Sequence, residues 1–254
     1  MSSGRPTLFQ FTNLASLPGV VHGVSERAGG VSAGRCASLN TSFTVGDDEA
    51  NVEENLRRLA AAVGVSREQL FTAHQVHGNR ATLVAAGSPP RPRCDILLTQ
   101  SRDATLMLRF ADCVPVLLAD PRRGAVAATH AGWRGTAVRA AGAAVQAMQD
   151  AFGSRSADLI AGIGPAIGPC CYTVGTEVAE QFADRPVVAR ASADGAARLD
   201  LWQANRLDLE AAGVPAEQIE VAGICTRCQA DRFFSHRANG GQPAGRFAAL
   251  IRLD

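Results

Sequence analysis

Residues 108–136 constrain this chain more than any other stretch. Two apolar runs, 116–119 and 125–129, flank the turn Pro121-Arg122-Arg123-Gly124. Short apolar runs bounded by Pro and Gly predict two buried strands. Cys113 stands just before the first run and His130 closes the second. The turn therefore brings a thiol and an imidazole to the same end of a sheet. Such a pair is either part of a metal site or a nucleophile with its base.

Strands are expected over 8–12, 20–25, 70–77, 81–85, 95–99, 105–110, 159–163 and 219–224, with 233–236 and 246–253 as a closing pair. A helix over 49–63 has Asp47 or Asp48 to cap it, Val52, Leu56, Leu59, Ala60 and Val63 on one face, and Gly64 to end it. After Gly135 a second helix carries the stripe Val138, Ala141, Val145, Met148 and Phe152. Others run from Gly175 or Thr176 to about residue 182 and from Asp200 to Ala212. Residues 88–93 and 183–198 read as loops, and 164–172 as a rigid turn. Helices and strands alternate, yet several strands follow one another directly. That predicts an α/β chain folded as a mixed-sheet α/β sandwich. No linker interrupts it, so 1–254 is expected to be a single domain, with residues 1–7 disordered.

Charge is balanced, with 25 basic and 24 acidic residues. Bulk electrostatics then give no reason to expect a nucleic-acid or membrane-surface partner. Every basic residue is Arg, and with no Lys the chain cannot use Schiff-base chemistry through a side-chain amine. No apolar leader follows the first residues and no run is long enough to span a bilayer, so the expected location is the cytoplasm. Seven cysteines without an export signal predict free or metal-bound thiols rather than a disulfide framework. The oligomeric state is not legible.

A metal at Cys113 and His130 needs a third ligand, and His22, His74, His77, His236 and the other cysteines are available. On a strand His74 and His77 face opposite ways. His77, at a strand end before Gly78, is placed to converge with the pair. A Cys-His-His set matches zinc with one position open, and would also hold copper. The competing assignment makes Cys113 a nucleophile and His130 its base. Asp112 could orient a ligand imidazole or shuttle a proton, or simply hold the strand end. Arg134, ahead of a helix N-terminus, and Arg27, beside the Gly29-Gly30 loop, suit an oxyanion, or are surface charges. Asn40 and Gln75 could bind base or ribose edges, or satisfy loop backbone. In Cys225-Thr226-Arg227-Cys228 no second CxxC accompanies the first. A structural zinc is therefore not expected there; the spacing admits a redox pair but lacks a thioredoxin-like context, and Cys225 reads as structural and Cys228 as incidental. Cys170 and Cys171 read as buried packing, His22 and His74 as structural, and His236 as a residue supporting the ligands from behind.

Several segments together resemble the YfiH/laccase-domain family. They are Gln75-Val76-His77-Gly78, Ala111-Asp112-Cys113-Val114-Pro115-Val116 and Thr129-His130-Ala131-Gly132-Trp133-Arg134-Gly135. With them go Gly29-Gly30-Val31-Ser32, Ser38-Leu39-Asn40, Val45-Gly46-Asp47, Gly164-Pro165-Ala166-Ile167-Gly168, Cys171-Tyr172-Thr173-Val174-Gly175 and Phe234-Ser235-His236-Arg237. The resemblance runs from about residue 20 to the C-terminus. It implies that His77, Cys113 and His130 are the metal triad of a zinc-bound purine nucleoside enzyme. It further implies phosphorolysis of adenosine, inosine, guanosine and S-methyl-5'-thioadenosine, and adenosine deamination. Purine nucleoside and phosphate would then be the small-molecule partners. Other members carry the names polyphenol oxidase, with copper in the triad, and peptidoglycan editing factor, an amidase removing a misincorporated L-Ser from a UDP-MurNAc precursor. Thr173, where the family often has Glu, and Ala238-Asn239, where a second Arg and an Asp are common, depart from the pattern and bear on substrate contacts alone.

Overall fold

A computed structural model describes residues 4–85, 88, 91–185, 189–191 and 197–254. The two apolar runs within residues 108–136 form β7 (Val114–Asp120) and β8 (Ala125–Ala131), antiparallel, with Val114 opposite Ala131 and Pro115 opposite His130. These two strands form the middle of a six-stranded mixed sheet. It is completed by β9 (Ile160–Ile163) and β13 (Ile219–Val221) on one side and by β5 (Ile96–Thr99) and β4 (Ala81–Leu83) on the other. A five-stranded sheet is ordered β1 (Leu8–Phe9), β2 (Val20–Ser25), β14 (Phe247–Leu253), β6 (Thr105–Phe110), β3 (Leu70–Phe71).

The two sheets pack face to face, as the period of two dictates. Leu117, Ala119, Val126 and Ala128 from the first sheet meet Leu106, Leu108, Phe110, Phe247, Ala249 and Ile251 from the second. The alternate residues face outward onto helices. Val116, Leu118, Ala125 and Ala127 pack under α4 (Ala140–Phe152) and α6 (Leu201–Ala211). Met107, Ala248 and Leu250 pack under α2 (Glu49–Ala62), through Val52, Leu56, Leu59 and Ala60. The order is thus helix, sheet, sheet, helix. Both faces of the central strands are covered, which is why they read as unbroken apolar runs. Each large aliphatic side chain buried this way stabilises the fold by about 1.5–3 kcal/mol. The helix ends follow their caps: Asp48 accepts from Ala50 N–H, and Asp200 from Gln203 N–H.

Several segments differ from expectation for identifiable reasons. The expected strand over 8–12 stops at Phe9, because Phe11 gives its N–H to His22 Nε2 (2.9 Å) and α1 (Thr12–Ala15) follows. That over 70–77 ends at Phe71, because the N–H groups of Val76, His77 and Gly78 turn to the Asp95 carboxylate. The helix expected after Gly135 begins earlier, as α3 (Trp133–Ala137), breaks at Arg139 in the left-handed region and resumes as α4, leaving Val138 exposed. Residues 233–236 form no strand. Phe233 and Phe234 are buried, but the Phe233 N–H closes a turn onto the Gln229 carbonyl. Within 183–198 two short strands occur, β11 (Ala189–Ala191) and β12 (Ala197–Leu199). They pair with each other, and β12 pairs with β10 (Thr173–Val174), while residues 186–188 and 192–196 lie outside those described. The expected loop at 88–93 includes Pro89 and Pro90, which also lie outside them. Of the N-terminal segment expected to be disordered, residues 1–3 are outside, whereas the Thr7 carbonyl accepts the Glu26 N–H. Between Val174 and β12, α5 (Thr176–Glu180) starts at Gly175. Among the described residues no helix is long and apolar enough to cross a membrane.

His22 makes this core sensitive to acid. It is buried, stacks on Phe11 and accepts a backbone N–H. Burial, opposed in part by Glu220, lowers its pKa to about 4. The unfolded chain takes up a proton near pH 6.5 that the folded chain refuses. Stability is therefore whole above that pH and is lost as pH falls towards 4. Between pH 7 and pH 5 the wild type is expected to lose about 2 kcal/mol more than His22→Gln, at about 1.4 kcal/mol per unit. Urea denaturation at both values checks this, and parallel losses in the two proteins would contradict it.

Candidate metal centre and cleft

Cys113 sits where the chain crosses from one sheet to the other. β6 ends at Phe110 and β7 begins at Val114, so the crossing takes three residues, with Asp112 at a φ of 88°. His130 lies next to the end of β8 and points between the sheets, where its ring meets that of Phe110 at 5.4 Å. His77 comes from the loop after β3, at a φ of 62°. The ligand atoms of His77, Cys113 and His130 all lie within 4.8 Å of one another, and the two imidazoles are 4.7 Å apart between centroids. The structure thus joins the three residues that the sequence pattern grouped.

Asp95, which sequence reasoning treated only as a strand start, builds this cluster. It is completely buried at the head of β5. Its carboxylate accepts the N–H groups of Val76 (3.1 Å), His77 (3.0 Å) and Gly78 (2.8 Å), and faces His130 Nδ1 at 2.8 Å. The left-handed conformation at His77 is held by that carboxylate. With Nδ1 engaged, His130 has Nε2 left for Cys113, the carboxylate–histidine arrangement common behind metal-bound imidazoles. Burial acts to raise the Cys113 thiol, but the charge and hydrogen bonds of His130 and His77 outweigh it and hold its pKa down at about 6. Burial likewise acts to lower His130, but Cys113 and Asp95 push it up to about 9. Both shifts favour a thiolate paired with an imidazolium, and a divalent cation can take the place of the proton between them.

Gly132 leaves room for this contact. A Cβ there would stand 2.8 Å from Cys113 Sγ and 3.0 Å from His77 Cδ2. Gly132→Ala is expected to keep the fold, since it precedes α3 in ordinary extended backbone, but to push two ligands apart and weaken zinc binding about ten-fold or more. Competition against a chromogenic chelator measures this, and an unchanged affinity would contradict it.

The cluster opens on a cleft of about 370 Å³, within the range of small-molecule sites. His74 and His236 are both exposed on its wall, so His74 is not the structural residue expected. Arg91, Arg109 and Arg246 make the wall cationic. Arg109 anchors Nε on the Thr41 carbonyl and Nη1 on Thr72 Oγ1, and burial lowers it to about 10. It was legible as the lone charge in the apolar segment 105–110. A wider depression of about 500 Å³, between residues 4–8 and α2, is lined among the described residues by no nucleophile or base.

The remaining expected site residues divide. Gln75 reaches the cleft but is paired with the Arg109 backbone through both amide atoms (2.8 and 3.0 Å). Asn40 is fully buried and spends its amide on Ser42, Asp47 and the Arg246 N–H, so it holds a loop rather than a ligand. Arg27 is bound to the Ala37 and Ala230 carbonyls and lies over Phe234, in a separate hollow. Arg134 is exposed and stacks on Trp133, away from the cleft lining. Asp112 accepts Thr226 Oγ1 and the Arg237 N–H, each at 2.7 Å. It braces the crossing next to Cys113, and the imidazole-orienting role belongs to Asp95.

Comparison with known proteins agrees with the fold. Residues 21–254 match the family described as multi-copper polyphenol oxidoreductase laccase. A purine nucleoside phosphorylase YlmD from Geobacillus stearothermophilus is 40% identical over 247 residues, which cover 92% of this chain and 90% of that one. A protein named adenosine deaminase RL5, from an unknown prokaryotic organism, is 35% identical over 85% of this chain and 87% of its own. The crystal structure of YlmD from Geobacillus stearothermophilus superposes with a TM-score of 0.92 at 37% identity, covering 100% of this chain and 97% of that one.

Proposed function

We propose that this chain, a member of the multi-copper polyphenol oxidoreductase laccase family, is a zinc-dependent purine nucleoside enzyme of the cytoplasm. Its substrates are adenosine, inosine, guanosine and S-methyl-5'-thioadenosine, cleaved by phosphate, with deamination of adenosine as a second activity. The observation that carries this reading is the Cys113–His130–His77 cluster, backed by Asp95 and opening on an arginine-walled cleft.

The donor set suits zinc: one thiol already inclined to ionise and two imidazoles, with one coordination position left for chemistry. When bound, zinc supplies Lewis acidity and brings the pKa of a water to about 7. In phosphorolysis a phosphate oxygen bonds to ribose C1′ as the bond from C1′ to the purine nitrogen breaks. Arg91, Arg109 and Arg246 hold the phosphate by charge-assisted hydrogen bonds. The departing purine takes up a proton, for which His74 and His236 are the donors at the cleft wall. In deamination a water oxygen bonds to purine C6 and ammonia leaves. Liquid chromatography of inosine incubated with and without phosphate tests the first reaction. Hypoxanthine with ribose 1-phosphate is expected only with phosphate, and no base release in either buffer would contradict the reading.

A second reading places copper at the same residues and makes the protein a phenol oxidase. The thiolate favours it, since soft sulfur ligands suit copper. Oxygen uptake with a phenol, dependent on copper, is its expected sign.

A further inference from the structure

Four cysteines meet on the loops that hold Asp112, and none of them is in the cleft lining. The ligand atoms of Cys170, Cys171, Cys225 and Cys228 all lie within 4.8 Å of one another. Cys228 Sγ is 3.4 Å from that of Cys171 and 3.6 Å from that of Cys170. All four are free thiols. This overturns the expectation that Cys170 and Cys171 are packed in the core and that Cys228 is incidental: Cys170 and Cys228 are exposed, Cys171 half-buried and Cys225 buried. The proteins compared with this chain are named for nucleoside or oxidase activities, which give this cluster no role.

We propose that these four cysteines hold a structural zinc ion, separate from the His77–Cys113–His130 centre. Four thiolates each 2.3 Å from one tetrahedral zinc lie about 3.8 Å apart, close to the spacing seen here. The ligands come in two short pairs, an adjacent Cys-Cys and a Cys-x-x-Cys knuckle, on loops already joined. Ala166 and Cys225 form a β-bridge, and the Thr226 N–H donates to the Ala166 carbonyl at 3.0 Å. The Gly168 N–H points at Cys225 Sγ (3.3 Å), the kind of donor that orients a metal-bound thiolate. A Cβ at Gly168 would stand 2.6 Å from the Trp202 ring, so that close approach is built in. The outer two thiols are open to solvent, which gives the ion a way in.

The position indicates what the ion does. Thr226 lies inside the knuckle and donates to Asp112 Oδ1, and the Ile167 N–H, from the other loop, donates to the Asp112 carbonyl at 2.9 Å. The zinc thereby clips together the two loops that grip the residue preceding Cys113.

Metal analysis of purified full-length Cys113→Ala protein, with X-ray absorption at the zinc edge, tests this. About one zinc per chain with four sulfur neighbours near 2.3 Å is expected. The double variant Cys113→Ala/Cys228→Ser is expected to lose it, and a chelator should lower the Tm of the single variant only. The absorption measurement needs no second substitution, so it stands even where the double variant does not fold. Cys113→Ala protein without tightly bound zinc, or with fewer than three sulfurs around it, overturns the proposal. So does mass spectrometry showing two disulfides among these residues.

Discussion

Cys113→Ala is expected to abolish metal binding at the cleft and to lower nucleoside turnover about a thousand-fold or more, while the protein stays folded. Without the thiolate, His130 loses the anion that raises its pKa, and two imidazoles remain to hold the ion. Lewis-acid stabilisation worth several kcal/mol goes with it, and each 1.4 kcal/mol or so is ten-fold in rate. Cys113 is half-buried at the seam between the sheets, so its truncation leaves no large cavity. Zinc per chain, turnover and far-UV circular dichroism, taken on one preparation, separate the roles that the sequence left open. Because the four cysteines are expected to keep one zinc in either protein, cleft metal retained means zinc per chain equal to that of the wild type; with turnover lost, that result would make Cys113 the nucleophile. Wild-type zinc per chain with wild-type turnover would remove it from the site.

Asp95→Ala is expected to have the largest effect on stability. It strands three loop N–H groups and one imidazole nitrogen around a buried gap. Removing one member of a buried charged network costs about 3–5 kcal/mol, and chemical denaturation measures it. Asp95→Asn refines the test. The amide keeps the shape but can turn its NH2 towards His130 Nδ1. That nitrogen must then accept, which moves the ring proton to Nε2, the atom facing Cys113. Zinc affinity is expected to fall about 10- to 100-fold with a smaller loss of stability. An Asn protein that binds zinc like the wild type would show that the carboxylate does not set the tautomer.

The legible parts of this chain are those whose signal is local. β7 and β8 are covered on both faces, and their turn puts Cys113 and His130 at one end whatever surrounds them. The helices α2 and α6 carry their own caps. His77 joins the pair through its place before Gly78 and the family pattern, but not from the strand end that the sequence suggests: the loop that delivers it is shaped by Asp95, a residue 18 positions away. Nothing in the apolar periodicity marks that carboxylate. Arg27 and Asn40 look like binding residues by type, but backbone carbonyls and loop amides consume their polar atoms. The four-cysteine cluster is not legible because its halves are more than 50 residues apart and come together through backbone contacts made on folding, such as the Ala166–Cys225 bridge. Local signals establish the central strands and the capped helices, whereas segments such as 70–77, and the polar groups that hold them, depend on contacts that only folding creates.

Whether zinc at His77, Cys113 and His130 serves nucleoside cleavage is decided by reloading chelator-treated protein with zinc or with copper. Base release from inosine in phosphate buffer and oxygen uptake with a phenol are then followed side by side. Zinc is expected to restore phosphate-dependent release of hypoxanthine without oxygen uptake, and Cys113→Ala to recover neither activity. Full nucleoside cleavage by the metal-free protein, or activity restored by copper alone, would contradict it.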